Sequence, residues 1–324
     1  MFRTQLDLSK RSHSFDHATH FFSIGSCFSE NIGSRLQALA FHLINNPYGI
    51  LFNPISISEA LQWSLAPYAL NEDRMVESQG VFRHFSFHSK IRGLTKEELI
   101  KNSKHIHFIT NQALQETDAL IITLGSAFIY EYKNKVVANC HKIPQQQFQK
   151  RLLELHEITE ALKETINALS HIKQVVLTVS PVRHLKNTLE LNSVSKSLLR
   201  LACHELSNHF NHVDYFPAYE LVLDDLRDYR FYKEDLLHPN KQAQDYVYEK
   251  FATSYLSEDT LTICKAVNQL NAAIQHQPFN PATPEHLSFL TTMLEKATGL
   301  NERINLTTQI TTLKKLINTH GTGK

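Results

Sequence analysis

The sequence lacks a charge excess of either sign. Its 33 lysines and arginines almost cancel its 32 aspartates and glutamates, and no block of like charge stands out along the chain. Proteins that bind nucleic acids or membrane surfaces usually carry a basic patch or stripe. We therefore predict that this protein binds no nucleic acid and that its partners are neutral or small.

Cysteine is scarce, and long apolar runs are missing. The chain has 4 cysteines and no C-x-x-C pair, which excludes a disulfide framework and a zinc-finger spacing. No uncharged apolar run approaches the roughly 18 residues of a membrane-spanning helix, and the N-terminal residues do not resemble an export signal. These absences predict a protein without a membrane span, located in the reducing cytoplasm. The cysteines are spread over the chain as Cys27, Cys140, Cys203 and Cys264.

Phosphate-binding loops are missing as well. Neither G-x-x-x-x-G-K-[ST] nor G-x-G-x-x-G follows an apolar run anywhere in the chain, although these loops are what cradle nucleotide phosphates. The sequence therefore predicts no cofactor.

What the sequence does contain is short apolar runs that alternate with helical patterns. Runs that are nearly continuous, as in strands buried on both faces, predict strands at 20–25, 119–125 and 174–182, with a further strand near 212–220. Apolar residues spaced three to four apart predict helices at 29–40, 144–172, 192–210 and 238–256. This alternation predicts an α/β fold with a parallel sheet covered by helices.

The last part of the chain has a different pattern. Residues 257–324 contain no strand-like run, and two amphipathic stretches are joined there by the turn-forming sequence HQPFNPATP. We predict an α/β domain at 1–256, followed by a C-terminal helical extension at 257–324 that serves packing or homo-oligomer formation.

Cys27 is the first candidate for chemistry. It follows the apolar run at 20–25 and Gly25, and it precedes a predicted helix. At a helix N-terminus the dipole and the unpaired N–H groups lower the pKa of a thiol and can hold an oxyanion. Position alone thus makes Cys27 a candidate nucleophile, although a free cysteine is equally well explained as a small apolar residue that fills a turn.

A candidate base lies in the stretch Asp235-x-x-His238, just before the predicted helix that starts near Pro239. A separation of three residues lets a carboxylate and an imidazole meet on one turn, so that Asp235 could orient His238 as a general base. In the alternative interpretation Asp235 caps the turn and His238 packs beside Pro239.

Together these features resemble a known superfamily and, more specifically, one family. A strand followed by IGSCF near the N-terminus, and a D-x-x-H before the last helix of the α/β region, are similar to the first and last sequence blocks of the SGNH (GDSL-like) hydrolases. The closer resemblance is to the GSCFA family, whose motif is nearly literal in GSCFS at 25–29. The resemblance covers roughly residues 2 to 250, through NPYGILFNPISI (46–57), FSFHS (85–89), ITLGSAFIYE (122–131), VANCHK (137–142), SPVRH (180–184) and DLLHPN (235–240).

The resemblance implies a three-layer α/β/α sandwich with a parallel sheet of about five strands, and a catalytic triad of Cys27, His238 and Asp235. Two positions depart from the superfamily pattern. Ser26 stands where the first block has an acidic residue, and Ala127 replaces the third-block asparagine that helps to form the oxyanion hole. Losing one such donor can cost about 100- to 1,000-fold in rate.

Other motif residues could replace that donor or bind the substrate. The Gly49 N–H could reach the oxyanion as a second-block glycine does, and Asn46 could supply an amide, although both also fit an ordinary turn. Positive charge near the site would suit a carboxylate or phosphate group. The predicted oxyanion and substrate-binding residues are Ser26, Gly49, Asn46, Gly125, Ser126, Arg183, His184, His88 and His141.

Three functions remain open at this stage. The first is a hydrolase or acyltransferase that acts on an ester, thioester or acylated carbohydrate through Cys27, with Ser26 as the alternative nucleophile and Ser29 as a helix cap. The second is an inactive protein of the same fold that binds a sugar or an acylated small molecule. The third is a zinc site, which the adjacent Cys140 and His141 disfavour because zinc ligands are usually spaced two to four residues apart. We predict no metal.

Overall fold

The computed structural model describes residues 4–11 and 13–321. Its contacts divide the chain into two compact units. The first comprises the segment up to Leu8 together with His20–Gly33 and Leu43–Phe251, and it contains every predicted site residue. The second comprises Ser9–Thr19, Ser34–His42 and the segment from Ala252 onward.

Eleven strands form one central sheet and two small sheets in the described residues. The central sheet has the order β11-β10-β6-β1-β2, and the small sheets have the orders β3-β4-β5 and β8-β7-β9. The strands are β1 (His20–Gly25), β2 (His42–Asn45), β3 (Met75–Ser78), β4 (Val81–His84), β5 (Arg92–Gly93), β6 (Ala119–Leu124), β7 (Phe128–Tyr132), β8 (Lys135–Val137), β9 (Gln149–Leu152), β10 (Gln174–Val179) and β11 (Val213–Phe216).

Ten α-helical segments occur in the same residues. One of them, α6, is a single turn that continues as a π-helix over Leu221–Leu226. The helices are α1 (Cys27–Ala38), α2 (Pro54–Leu65), α3 (Lys96–Glu116), α4 (Leu155–Ala168), α5 (Thr188–His209), α6 (Ala218–Glu220), α7 (Lys241–Tyr255), α8 (Glu258–Gln275), α9 (Pro284–Leu300) and α10 (Thr307–Gly321).

The central sheet is buried on both faces. All residues of β6 and β10 are buried, and the pairs β1–β6, β6–β10 and β10–β11 are parallel. Alternate residues such as Ile24, Ile122 and Leu177 join one apolar core with helix residues of α2, α4 and α5. Phe216 of β11 instead packs edge-to-face on Phe251 of α7. The predicted α/β/α sandwich with five parallel strands is therefore confirmed, and helices α8 to α10 follow it in the chain.

Gly25 lets the end of β1 approach β6 closely, just before the loop that carries Ser26 and Cys27. Its φ is +141°, and a Cβ at this position would lie 2.1 Å from the carbonyl oxygen of Thr123 on the neighbouring strand. Only glycine tolerates both this backbone conformation and this approach. The next residue, Ser26, donates its N–H to the same carbonyl at 3.0 Å, which holds the end of β1 against β6.

Several elements differ from the sequence-based expectation. The helical pattern predicted over 144–172 contains the strand β9 before α4, because the segment Gln149–Leu152 pairs with β7 in antiparallel register. The two small sheets were not predicted, since their strands are short and mostly half-buried and so lack a clear apolar alternation. The predicted strand at 174–182 ends at Val179.

The second unit is largely helical. Leu290, Ala297, Leu306 and Leu313 are buried in it. The N-terminal segment joins the unit through Phe15, whose ring stacks on Tyr255 and whose N–H binds the Tyr255 carbonyl at 2.6 Å. The second unit thus includes residues that precede the α/β sheet in the chain. The predicted domain boundary between 256 and 257 stays a prediction.

Candidate functional site

The loop after β1 is shaped by its own serines. Helix α1 begins at Cys27, and the preceding Ser26 is 1% exposed and accepts the Phe28 N–H at 3.3 Å through its hydroxyl. Ser29 was predicted as the helix cap, but it lies inside α1 and its hydroxyl pairs with that of Ser23 at 2.5 Å. That prediction is wrong by one turn: Ser26 occupies the capping position, and Cys27 is the first helical residue.

The surroundings of Cys27 favour the neutral thiol. Burial raises its pKa above the ordinary value, and the Glu30 carboxylate raises it further. The Lys196 ammonium and the backbone N–H groups of Cys27 and Phe28 lower it, as expected at a helix start. The net direction is opposite to the predicted one, because desolvation of a half-buried thiol outweighs the helix terminus. A reaction at Cys27 therefore needs a base.

Asp235 and His238 form a hydrogen-bonded carboxylate–imidazole pair. The Asp235 Oδ2 lies 2.7 Å from His238 Nδ1, and Asp235 Oδ1 accepts the N–H groups of Leu237 and His238 at 2.9 and 3.0 Å. The turn is closed by Leu236 at φ 59°. Hydrogen bonds from these two N–H groups and then from the ring hold the pKa of Asp235 at about 2. Because an ionised carboxylate only accepts, Nδ1 carries the proton and a neutral His238 ring keeps Nε2 as the free base nitrogen.

The loop after β10 brings His184 and Arg183 to the same region. The Arg183 N–H binds the Leu237 carbonyl at 3.3 Å, and its guanidinium lies 4.3 Å from the centre of the Tyr232 ring. His184 packs edge-to-face on Phe52. Burial, together with the charges of Lys196 and His238, lowers the pKa of His184 to about 4, so this histidine is neutral at physiological pH.

Lys196 is the residue that sequence reasoning missed. It lies on α5, is 1% exposed, and donates to the carbonyls of Gly125 and Ser180 at 2.6 and 2.7 Å. A signal existed in the sequence, since Lys196 is in helical register with Leu199 and Cys203 on the apolar face of α5. A lysine in such a position is rarely buried without a polar partner.

The predicted oxyanion donors differ in whether they already make a hydrogen bond in the structure. The Gly49 N–H donates to the Asn46 carbonyl at 2.8 Å, and the N–H groups of Gly125 and Ser126 both donate to the Phe52 carbonyl, at 2.8 and 2.9 Å. Backbone hydrogen bonds thus occupy these three groups, which removes them as oxyanion donors in this conformation. Asn46 differs: its Oδ1 accepts the Gly25 N–H at 2.8 Å, while its Nδ2 is buried without a partner among the described residues.

The two remaining predicted histidines have separate environments. His88 is half-buried against Gly49, where a Cβ would lie 2.4 Å from the His88 Cβ, and the Glu30 carboxylate influences both His88 and Cys27. His141 is 2% exposed, and its Nε2 binds the His84 carbonyl at 2.8 Å. His141 therefore lies inside the protein and binds the backbone at the end of β4, and its role in substrate binding stays a prediction.

Residues 4–11 and 13–321 contain neither a metal-binding cluster nor a membrane-spanning helix. No group of three or more His, Cys, Asp or Glu side chains is arranged there to hold a metal ion. Every helix in those residues is too short or too polar to cross a bilayer.

Comparisons with known proteins identify a family. No curated protein sequence matches the chain. Among solved structures, a Streptococcus pneumonia protein provisionally described as a platelet activating factor is similar at 12% identity and a TM-score of 0.37, over 72% of this chain and 82% of that one; this likeness is too distant to bear on function. A family model named GSCFA domain protein, C-terminal domain, matches residues 267–319. The GSCFA family model matches residues 20–251, which is more than half of the 324 residues, and the chain therefore belongs to the GSCFA family.

Proposed function

We propose that this protein is an SGNH-type acyl hydrolase or acyltransferase in which Cys27 is the nucleophile and His238 the general base. The observation that carries the proposal is the 2.7 Å contact between His238 Nδ1 and Asp235 Oδ2, in which the carboxylate is itself held by two backbone N–H groups. A carboxylate held in this way fixes the ring orientation and stabilises the imidazolium that forms during catalysis.

The loop positions support the pairing of this base with Cys27. Cys27 follows β1, His184 follows β10, and these strands flank β6 in the parallel sheet, whose carboxyl edge is where such folds bind ligands. The Arg183 N–H ties the β10 loop to Leu237. Among the described residues no hydrogen bond joins Cys27 to His238, so the substrate would enter between two groups that are not yet paired.

The reaction would run in two steps. Cys27 Sγ attacks the acyl carbon while its proton passes to His238 Nε2; the bond to the leaving alcohol or thiol breaks, and that group takes the proton from Nε2. Water, or an acceptor amine or hydroxyl, then attacks the thioester and gives its proton to Nε2, and the sulfur leaves and recovers it. A thioester passes its acyl group to either kind of acceptor, so hydrolysis and transfer share this scheme.

Two donors could hold the oxyanion. The Cys27 N–H lies at the start of α1, and Asn46 Nδ2 is a buried amide donor without a partner in the described part of the chain. Buried unpaired donors are uncommon in native proteins, and a catalytic role is one explanation for them. We assign Asn46 Nδ2 to the role of the third-block amide that Ala127 lacks.

A second candidate function is an inactive binding protein of the same fold that recognises a sugar or an acylated small molecule. It is favoured by the backbone hydrogen bonds that occupy the Gly49, Gly125 and Ser126 N–H groups. It is also favoured by the raised pKa of the Cys27 thiol.

The deciding experiment is mass spectrometry of the full-length protein incubated with short- and medium-chain p-nitrophenyl esters and acyl thioesters. We expect one acyl group on the peptide that contains Cys27, and its loss in Cys27→Ala. In His238→Asn, acylation should slow by about 100-fold or more, the usual contribution of a general base.

Cys140→Ala is the matched control, because Cys140 is a second half-buried thiol. It should acylate at Cys27 as the parent does, and the fluorescence of Trp63 should confirm that each variant is folded. Equal acylation in Cys27→Ala and the parent would contradict the proposal. Binding of a donor without any acyl adduct would favour the second candidate.

A further inference from the structure

Lys196 is a buried lysine that has no carboxylate partner among the described residues. Its side chain is 1% exposed, and its ammonium donates to two carbonyl oxygens, those of Gly125 and Ser180. The salt bridges of the described residues include none to Lys196. Its other close neighbour is the Tyr219 ring, whose centre lies 6.0 Å from Nζ.

Such a charge is costly unless an anion compensates it. Removing an ammonium from water carries a large desolvation cost even after the protein relaxes, and two neutral carbonyls recover part of that cost. Burial accordingly lowers the pKa of Lys196 to about 7, whereas an anionic Cys27 raises it. The protonated form of Lys196 is therefore stabilised when a negative charge forms nearby.

The carbonyls that hold Lys196 belong to the functional loops. Gly125 directly follows β6. A Cβ on Gly125 would lie 3.2 Å from the Cβ of Ser26, the residue that precedes Cys27. Ser180 follows β10 and donates its N–H to the Leu124 carbonyl at 2.8 Å. The ammonium is thus fixed between the ends of two neighbouring strands, close to the start of α1.

We propose that Lys196 is the buried counter-charge of the Cys27 site, a positioning residue that stabilises the Cys27 thiolate and the oxyanion formed after its attack. The assignment to the oxyanion rests on the proposed function; the assignment to the thiolate does not. Lys196 does not touch the substrate, because its side chain is enclosed, and it acts through the field at Cys27 and through the loop carbonyls that it binds.

The charged and titratable groups around the pair define what a test must separate. Glu30 on α1 raises the pKa of Cys27, while Lys196 on α5 lowers it. His184, after β10, is influenced by both Lys196 and His238. Glu30 and Lys196 therefore have opposite effects on the pKa of the same thiol, so neutralising each of them should change the Cys27 alkylation profile in opposite directions.

The test is the pH–rate profile of Cys27 alkylation by iodoacetamide in the full-length protein, read by peptide mass spectrometry. In this reaction the thiolate forms an S–C bond and iodide leaves, so the rate follows the thiolate fraction. Below the Lys196 pKa of about 7, where the ammonium is present, Lys196→Met should make alkylation of Cys27 roughly tenfold slower, which corresponds to about one pKa unit. At about pH 9 and above the Lys196 amine is neutral in the parent, so the two rates should converge. Glu30→Gln should shift the profile in the opposite direction.

Two controls accompany these variants. Lys163→Met removes the same charge from α4, where Lys163 pairs with Glu160, and should leave the profile unchanged. Cys203 lies on α5 and is 0% exposed, so its resistance to alkylation in the same digest reports that α5 is still folded.

A reciprocal measurement covers the case in which Lys196→Met does not fold. In protein labelled at its lysines, NMR titration of Lys196 should give a higher pKa in Cys27→Asp than in Cys27→Asn, because the carboxylate is already ionised where Lys196 titrates and stands in for the thiolate. An unchanged Cys27 profile in folded Lys196→Met, or equal Lys196 titrations in Cys27→Asp and Cys27→Asn, would overturn the proposal. Neither readout needs an acyl donor, so the proposed function can fail while this inference holds, and the reverse.

Discussion

At the residue scale, the best-defined chemistry lies in the turn from Asp235 to His238. One carboxylate accepts three hydrogen bonds, two from backbone and one from the ring. The turn therefore orients the imidazole without help from other elements, which explains how a four-residue motif can be read from sequence.

We expect Asp235→Asn to slow any His238-dependent reaction by about 100-fold or more, because an amide at this position can no longer hold the charged ring. The pKa of Asp235 lies at about 2, below its ordinary value. The contact is therefore present in full above the ordinary value near 3.8 and is lost as the pH falls through about 2. NMR of the His238 ring nitrogens should show the Nδ1 hydrogen bond still intact at pH 4 in the parent.

In Asp235→Asn the same ring signals should report a weakened Nδ1 hydrogen bond at every pH. Glu234→Gln is the matched control, since Glu234 is an exposed carboxylate in the neighbouring position. If the ring signals of Asp235→Asn matched those of the parent, the orienting role of Asp235 would be excluded.

At the element scale, the junction of β1 and α1 decides where Cys27 lies. The strand can end beside β6 only because Gly25 has no side chain, and the helix can start at Cys27 because Ser26 satisfies the Phe28 N–H. Asn46, in the loop after β2, fixes the Gly25 N–H from the other side. Three separate segments thus converge on one turn.

We expect Gly25→Ala to destabilise the first unit by at least about 2 kcal/mol, the sum of an unfavourable φ and a collision with the Thr123 carbonyl. Urea unfolding followed by Trp63 fluorescence measures this, because the chain has 1 tryptophan and it lies in this unit.

Gly80→Ala provides the comparison for Gly25→Ala. Gly80 also has a positive φ, of +70°, but a Cβ there would meet nothing within 4 Å, so the cost should be only about 1 kcal/mol. Similar losses in the two variants would mean that the close approach to Thr123 contributes nothing.

At the scale of the whole molecule, the protein contains a set of buried histidines that are neutral at physiological pH. Burial lowers the pKa of His84, His141 and His184 to about 4 each, from an ordinary value of 6.5. All three lie in the first unit. In the unfolded chain these rings take up protons near their ordinary value, which makes stability depend on pH.

We expect the free energy of unfolding of the first unit to be highest above pH 6.5 and to fall as the pH drops toward 4. Each histidine contributes up to about 1.4 kcal/mol per pH unit over this window, because the unfolded state binds a proton that the folded state does not. Urea midpoints read from Trp63 fluorescence at several pH values test this.

His141→Gln should reduce that slope by the share of one histidine, since a glutamine amide can still donate to the His84 carbonyl but does not titrate. His105→Gln, on the exposed side of α3, should leave the slope unchanged. A parent protein whose stability did not change between pH 7 and 5 would refute the linkage.

Much of this arrangement could be read from the sequence, and the misses have physical causes. The strands β1, β6 and β10 were predictable because burial on both faces leaves continuous apolar runs, and the D-x-x-H turn because its contacts are local. The small sheets were not predictable, since their short, mostly half-buried strands carry no such run. The direction of the Cys27 pKa shift was wrong because burial of a side chain depends on what packs over it.

The sequence by itself determined the family, the alternation of strands and helices, and the local turn that joins Asp235 to His238, since each depends on residue order or on neighbours within a few positions. Only the tertiary structure decided that Lys196 is enclosed between Gly125 and Ser180, that the Gly49 N–H is already occupied, and that Asn46 keeps an unpaired amide. These features depend on groups far apart in the chain, and their energies depend on exclusion from water, which no local pattern of residues specifies.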